Sequence, residues 1–309
     1  MITLWKQNGK GIVRTAILES GCWIHVTAPT PIELETLTRE YGIEPDIIAD
    51  ILDIDERSRT ERGDGYTLFI VRVPVYEEGR EVPYYTVPLG IIERPDIIIT
   101  ICMRENPVVD DLLENRVRNL ELFNKRTFLL HVLMRSAYYY LRFLKEINRH
   151  STKIERELQK SVKNNELIRL LELEKSLVFF TTSLKSNELL LMKLGRNGFG
   201  ELTELEADLL EDVLTENKQA IEMANIYSNI LSGLMDAFAS VISNNLNVVM
   251  KRLTSISILL MIPTLFASLY GMNVPLPFQS APLTFFGLLG CSVAVSVTAA
   301  LLFMRKKLF

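Results

Sequence analysis

From Leu253 through Met304 the chain contains no Asp, Glu, Lys or Arg, although charged residues make up 23% of the sequence. A helix that crosses a bilayer needs about 20 apolar residues, so this stretch has room for two crossings and a short corner. We place the crossings at 253–270 and 282–304. The alternative is a helical hairpin buried in a soluble core. Such helices normally carry a face of charged side chains, and neither segment contains any, so the pattern predicts a membrane protein.

The basic residues that flank these segments predict their orientation. Lys251 and Arg252 precede the first segment, while Arg305, Lys306 and Lys307 follow the second. Positively charged flanks remain on the cytoplasmic side, so we expect both termini to be cytoplasmic. The N-terminus has no apolar signal segment, which predicts that the first 250 residues also stay in the cytoplasm. We therefore expect a multi-pass protein of the cytoplasmic membrane.

Residues 1–103 have the pattern of a mixed α/β region. The segments "GCWIHV", "YTLFIVRVPV", "TVPLGIIER" and "DIIITICM" are rich in β-branched and aromatic residues and predict strands. Asp64 and Gly65 predict a turn. Thr30, Pro31 and Glu33 form the pattern of an N-cap, a first helical proline and a capping box, so a helix is expected to begin there.

From about Asn106 the pattern becomes helical, with apolar residues at helical spacing and no proline between Val108 and Ile262. The segment "GRNGFG" at 195–200 lacks the Lys-Ser/Thr of a phosphate loop and predicts a turn between helices. One helix is then expected from about 204 to 270, roughly 100 Å long at 1.5 Å per residue. Such a helix cannot bury its apolar stripe alone, which predicts an oligomer.

The chain has no catalytic motif of the metalloprotease, P-loop or serine hydrolase type, so we do not expect an enzyme or an organic cofactor. The net charge of −4 disfavours nucleic acid as a partner. The three histidines do not have the spacing of metal ligands; they are His25, His131 and His150. The three cysteines lie far apart in the sequence, and we expect them to be free thiols in a reducing compartment. They are Cys22, Cys102 and Cys291.

The first apolar segment carries a polar stripe. Steps of three and four residues select Asn247, Met250, Leu253, Ser257, Met261, Thr264 and Ser268. Hydroxyl groups in membrane helices often bond to a carbonyl one turn back or join neighbouring helices, which explains the Ser and Thr residues without a pore. The alternative is that several copies surround an axis and the stripe lines a pore. The asparagines at the two ends, Asn247 and Asn273, favour this second interpretation.

These residues match a known family. The segment "NVVMKRLTSISILLMIPTLFASLYGMN" resembles the first membrane span of the CorA-type magnesium channels, whose signature is Tyr-Gly-Met-Asn, here Tyr270 to Asn273. The soluble half is also similar, through "GCWIHVTAPTPIELETLTREYGIEPDIIADILDIDERSRTE". Two C-terminal spans, a basic tail and a long stalk helix extend the resemblance over essentially the whole chain.

The resemblance implies a homopentameric funnel with an N-terminal cytoplasmic α/β domain and a stalk helix that continues into the first membrane helix. It implies transport of Mg²⁺, with regulation by Mg²⁺ on the cytoplasmic side. Asn273 would hold the hydrated ion at the outer mouth, together with Tyr270, Gly271 and Met272. The matching pore-lining positions are Asn247, Ser257, Met261, Thr264 and Ser268. Met250 and Leu253 resemble the hydrophobic gate, and Asp236 matches a carboxylate of the magnesium sensor.

The stalk between Glu201 and Glu222 is strongly acidic. Its carboxylates are at 201, 204, 206, 208, 211, 212, 216 and 222, against the single Lys218. They either form a solvated face or hold divalent ions between subunits and so clamp the closed state. The candidates for such ion binding are Glu204, Asp208, Glu211 and Asp212.

The corner after the first span is expected to end the helix at Gly271, in a left-handed cap, with the negative end of the helix dipole facing the ion. The following loop, "VPLPFQSAP", lacks the acidic residue that the family often carries there. A transporter of Zn²⁺, Co²⁺ or Ni²⁺ from the same superfamily, or a non-conducting membrane-anchored sensor or scaffold, therefore remains an alternative.

The predicted organisation has seven segments. In chain order they are the α/β subdomain 1–103, the helical subdomain 104–200, the stalk 201–252, the pore-lining membrane helix 253–270, the extracytoplasmic signature loop 271–281, the second membrane helix 282–304 and the basic tail 305–309.

Overall fold

The computed structural model describes residues 1–9, 11–160, 164–198, 200, 202–274 and 283–305, without the side chains of 160, 197 and 198. The chain divides into two compact units, Met1–Met235 and Asp236–Phe309. The first unit contains a mixed seven-stranded sheet with helices on both faces, and the second contains the apolar C-terminal helices.

The strands are β1 (Ile2–Asn8), β2 (Gly11–Thr15), β3 (Trp23–Thr27), β4 (Arg59–Gly63), β5 (Tyr66–Tyr76), β6 (Tyr84–Glu93) and β7 (Ile98–Cys102). Their order in the sheet is β2-β1-β3-β7-β6-β5-β4. Only β3 and β7 pair in parallel, with Trp23 opposite Ile98, among the strand pairs of the described residues. The predicted turn at Asp64 and Gly65 is confirmed: it joins β4 to β5, and Gly65 has a φ of +74°.

The helices are α1 (Pro31–Arg39), α2 (Pro45–Leu52), α3 (Pro107–Leu113), α4 (Lys125–Lys160), α5 (Asn164–Lys193), α6 (Glu204–Tyr270) and α7 (Thr284–Arg305). The predicted start of α1 is confirmed, because Thr30 and Glu33 form a capping box and Pro31 occupies the first turn. A single π-helical turn, Leu194–Gly198, follows α5 at the predicted break.

The two faces of the sheet have different cores. One face packs against α1 and α2 through a cluster of aliphatic side chains, mainly isoleucines, from Ile24 to Ile101. The other face packs against α4 and α5 through aromatic rings: Trp23 meets Phe128 edge-on at 5.1 Å, and Tyr84 lies 5.6 Å from Phe143. Each face is therefore closed by burial of apolar surface, the main favourable term in folding.

A buried arginine ties these layers together. The Arg72 guanidinium donates to the Thr86 hydroxyl at 2.7 Å and to the Glu56 carbonyl at 3.1 Å. The Arg72 carbonyl accepts from Tyr140 of α4 and Asn187 of α5. Since buried polar groups are costly unless they are bonded, this network fixes the sheet against both helices.

Two helices of the described residues, α6 and α7, are long and apolar enough to cross a membrane. The predicted helix from 204 to 270 is confirmed, because α6 runs from Glu204 to Tyr270. It continues through Pro263, which cannot donate the usual hydrogen bond to the carbonyl of Leu259.

Candidate ion pathway

The predicted polar stripe of α6 lies on one exposed face of the helix. Asn247, Met250, Leu253, Ser257, Met261, Thr264 and Ser268 are all exposed in the single chain. The exposed fractions of Met261 and Leu253 are 67% and 57%, respectively. The structure therefore places the predicted pore-lining and gate residues together on one side of α6.

The opposite face of α6 is turned toward α7. Ser255, Leu259, Ile262 and Phe266 are buried or half-buried, and they lie about half a turn around the helix from Ser257. Phe266 and Tyr270 share an apolar cavity of about 370 Å³ with Thr284, Leu288 and Cys291 of α7. The second helix therefore lies beside this face and covers part of it, while the stripe stays uncovered.

Two hydroxyl groups of the stripe bond within their own helix. Ser257 donates to the Leu253 carbonyl at 2.9 Å, and Thr264 donates to the Leu260 carbonyl at 3.0 Å. This is the local bonding that explains hydroxyls in membrane helices without a pore. A hydroxyl that donates its proton to a carbonyl still has lone pairs that can accept from water, so the bonding is also compatible with a wet face.

The signature residues follow directly after the stripe. Tyr270 is the last residue of α6, and Gly271 closes the final turn by donating to the Ala267 carbonyl at 2.9 Å. Met272 and Asn273 are exposed. Of the predicted loop 271–281, residues 275–281 lie outside the described residues.

The expectation of a left-handed cap at Gly271 was wrong. Gly271 is not among the described glycines with positive φ. Its N–H makes an ordinary helical bond instead. A Cβ atom at this position would approach the Ala267 carbonyl oxygen to 3.2 Å.

The proposed regulatory carboxylates lie on the surface of the single chain. Asp236, Glu204, Asp208, Glu211 and Asp212 are all exposed. Within the described residues, no group of three or more His, Cys, Asp and Glu side chains is placed to hold a metal. One copy of the described chain therefore does not bring these carboxylates together, and Glu201 lies outside the described residues.

One stalk carboxylate has a structural role instead. Glu206 is buried, accepts from the Thr203 N–H at 3.0 Å and from Asn124 at 3.2 Å, and lies 3.8 Å from Arg126. Burial opposes its ionisation, but the hydrogen bonds from Thr203 and Asn124 outweigh burial and hold its pKa below the usual value. The sequence analysis overlooked this capping box, although Thr203-x-x-Glu206 has the required spacing.

Comparison with known proteins decides the family. Residues 19–306 match the family described as "CorA-like Mg2+ transporter protein". The chain belongs to this family. As a CorA-family member it is a divalent cation transporter, and it is 26% identical over 289 residues to the cobalt/magnesium transport protein CorA of Methanocaldococcus jannaschii, covering 92% of this chain and 90% of that protein. Its identity to the Thermotoga maritima protein of the same name is 24% over 255 residues, covering 81% and 72%.

Solved structures agree on the CorA fold. The complete structure of the CorA magnesium transporter from M. jannaschii matches with a TM-score of 0.83 at 23% identity, covering 99% of this chain and 98% of that one. The full-length CmaX protein matches with a TM-score of 0.68 at 18% identity, covering 97% of each chain. The predicted resemblance, the N-terminal α/β domain, the long helix and the apolar C-terminal helix are therefore confirmed.

Proposed function

We propose that this CorA-family protein conducts Mg²⁺ across the cytoplasmic membrane through a pore lined by the α6 stripes of five copies. The exposed polar stripe carries this proposal, because the packed face of α6 lies on its opposite side. Polar side chains avoid lipid, so a stripe that α7 does not cover needs another helix or water against it. Copies arranged around an axis supply both.

Mg²⁺ selection is assigned to Asn273 at the outer mouth. Mg²⁺ gives up its waters reluctantly, so a site that accepts the hydrated ion avoids most of the dehydration cost. A ring of asparagine amides offers neutral oxygens to the shell waters and can also bond to neighbouring copies. Tyr270, Gly271 and Met272 complete this mouth. The end of α6 adds roughly half a negative charge per copy, which attracts cations.

The closed state is assigned to a hydrophobic ring of Met250 and Leu253. Both side chains are exposed on the stripe of the single chain. A ring of such side chains excludes water and therefore blocks a hydrated ion, while flexible Met side chains permit opening by a small shift of the helices.

Closure by cytoplasmic Mg²⁺ is assigned to Asp236, with Glu204, Asp208, Glu211 and Asp212 as further candidates. Their exposure in one copy suits ligands that are shared between copies. Bound ions would hold these carboxylates together, and loss of the ions would let like charges repel and favour the open state.

The proposed topology has both termini in the cytoplasm, as the basic flanks at 251–252 and 305–307 favour. In this arrangement the subdomains 1–103 and 104–200 and the stalk 201–252 are cytoplasmic, and the signature loop faces outward. The other candidate ions are Co²⁺, Zn²⁺ and Ni²⁺, and the name shared by the two relatives favours Co²⁺ among them.

Uptake into vesicles tests this function. The full-length protein in vesicles should take up Mg²⁺, and Asn273→Ala should lose most of this uptake because the hydrated ion loses its first binding ring. Asn245→Ala, on the face of α6 opposite Asn247, is the matched control and should conduct normally. Equal uptake by Asn273→Ala and the unaltered protein would refute the filter assignment. Absence of Mg²⁺ uptake by the unaltered protein would refute the proposed conduction of Mg²⁺.

A further inference from the structure

A groove on α4 is lined by three cations on one exposed face of the helix. Arg149, Lys153 and Arg156 follow one another at steps of four and three residues and are all exposed. Together with Asn148, Thr152 and Glu157 they surround a cavity of about 430 Å³. We call this cavity the α4 basic groove. It lies entirely within the N-terminal unit.

Within the described residues, the three cations have no carboxylate partner. In the part of the chain that the structure describes, no ion pair joins Arg149, Lys153 or Arg156 to an acidic side chain. Other cations nearby are paired: Arg142 lies 3.2 Å from Glu146, and Arg169 lies 3.9 Å from Glu157. Like charges three or four residues apart destabilise a helix, so an anion in the groove would relieve this repulsion.

The α4 basic groove meets a second cleft at Lys153, which lines both cavities. The second cleft, of about 220 Å³, adds His150 and Arg169 and the ring of Tyr76, which lies 4.9 Å from the ring of Tyr84. A ligand whose anionic part occupies the groove could therefore place an uncharged or aromatic part beside Tyr76.

We propose that the α4 basic groove binds a phosphate-bearing anion with several negative charges. Arginine guanidinium groups match pairs of phosphate oxygens, and a lysine adds a mobile point charge. From Arg149 to Arg156 the helix rises about 10 Å, which suits an extended anion better than a single monovalent ion. A soluble polyphosphate and a phospholipid headgroup share this chemistry, and the experiment separates them.

Lysine labelling of the full-length protein in phosphatidylcholine nanodiscs tests the groove. An amine-acetylating reagent is applied with and without inorganic tripolyphosphate, at matched ionic strength set with chloride, and labelling is read residue by residue by mass spectrometry. Saturating tripolyphosphate should slow labelling of Lys153 about tenfold, because a bound ammonium group is held in its unreactive charged form. Lys145, exposed on the same helix outside the groove, should react at an unchanged rate.

The double variant Arg149→Gln/Arg156→Gln should lose this protection, whereas Arg118→Gln/Lys185→Gln, which removes two exposed charges elsewhere, should keep it. Equal thermal midpoints show that both variants fold. Nanodiscs that contain phosphatidylglycerol test the lipid headgroup. If Lys153 is protected in these nanodiscs without tripolyphosphate, and the double variant loses this protection, the groove binds a headgroup. Absence of protection in both arms, or protection that survives in the double variant, overturns the proposal.

Discussion

Glu93, the last residue of β6, has an unusual carboxyl group. Its Oε1 atom is buried and has no hydrogen-bond partner in the described part of the chain. Burial raises the pKa of Glu93 to about 7, against the opposing attraction of Lys125 and Arg126. The folded protein therefore retains a proton on Glu93 at pH values where the unfolded chain has released it.

The sign of the resulting pH effect follows from linkage. Between pH 4.5 and about 7 the folded state binds the proton and the unfolded state does not, so the free energy of unfolding falls as pH rises through this window. Glu93→Gln should remove this fall and stabilise the N-terminal unit at pH 8 by up to about 3 kcal/mol. Tryptophan fluorescence reports this unit, because Trp5 and Trp23 both lie in it.

Thermal midpoints of full-length protein in detergent at pH 5 and pH 8 measure the effect. Glu121→Gln, at an exposed position of the same unit, is the control and should keep the pH dependence of the unaltered protein. If Glu93→Gln keeps that dependence as well, the assignment to Glu93 is incorrect.

Single substitutions in the proposed gate and sensor should raise the basal flux of Mg²⁺. Met250→Gly should raise basal Mg²⁺ flux several-fold because it opens the proposed hydrophobic ring, and Asp236→Ala should raise it by removing a ligand of the closed state. Growth of a transport-deficient host on limiting magnesium and vesicle flux measure both effects. Val248→Gly, an exposed position on the face of α6 away from Met250, controls for the loss of helix stability. If high internal magnesium closes the Asp236→Ala channel as effectively as it closes the unaltered protein, Asp236 does not act as a sensor.

At the scale of the elements, the start of α6 depends on the Thr203–Glu206 capping box. Glu206→Ala leaves the Thr203 N–H and the Asn124 amide without the carboxylate that accepts their hydrogen bonds. This loss should destabilise the N-terminal unit by about 1–3 kcal/mol. The shift in thermal midpoint measures the loss. Glu204→Ala, at the exposed position directly after Thr203, should change it little. Equal shifts in the two variants would contradict the capping role.

The elements also show where sequence patterns succeed. The bounds of α6 could be predicted because the absence of glycine and proline over most of its length is a local property. Strands β1, β2 and β4 were not predicted, because they are partly exposed and lack a long apolar run. β1 pairs with β3, which follows the β1–β2 hairpin in the chain, while β4 pairs with β5 across the turn at Asp64 and Gly65.

For the whole molecule, the pore proposal predicts that the stripes of neighbouring copies lie close together. In a Cys291→Ser background, where the remaining Cys22 and Cys102 are buried, Ser257→Cys should form disulfide-linked dimers under mild oxidation. Leu259→Cys lies on the face turned toward α7 and should form few. Non-reducing gels of protein in its native membrane measure the yield. Efficient cross-linking of Leu259→Cys but not Ser257→Cys would mean that the opposite face of α6 meets its neighbour.

The sequence by itself determined the two apolar helices, the polar stripe and the Tyr270–Asn273 signature, because each depends on the order of residues along a single segment. Tertiary structure alone decided that α7 covers the face with Leu259 and leaves the stripe open. It also decided that Asn124 donates to Glu206, and that no acidic group pairs with Lys153 in the described residues. These outcomes depend on which segments meet in space, and contacts between distant residues leave no local pattern in the chain.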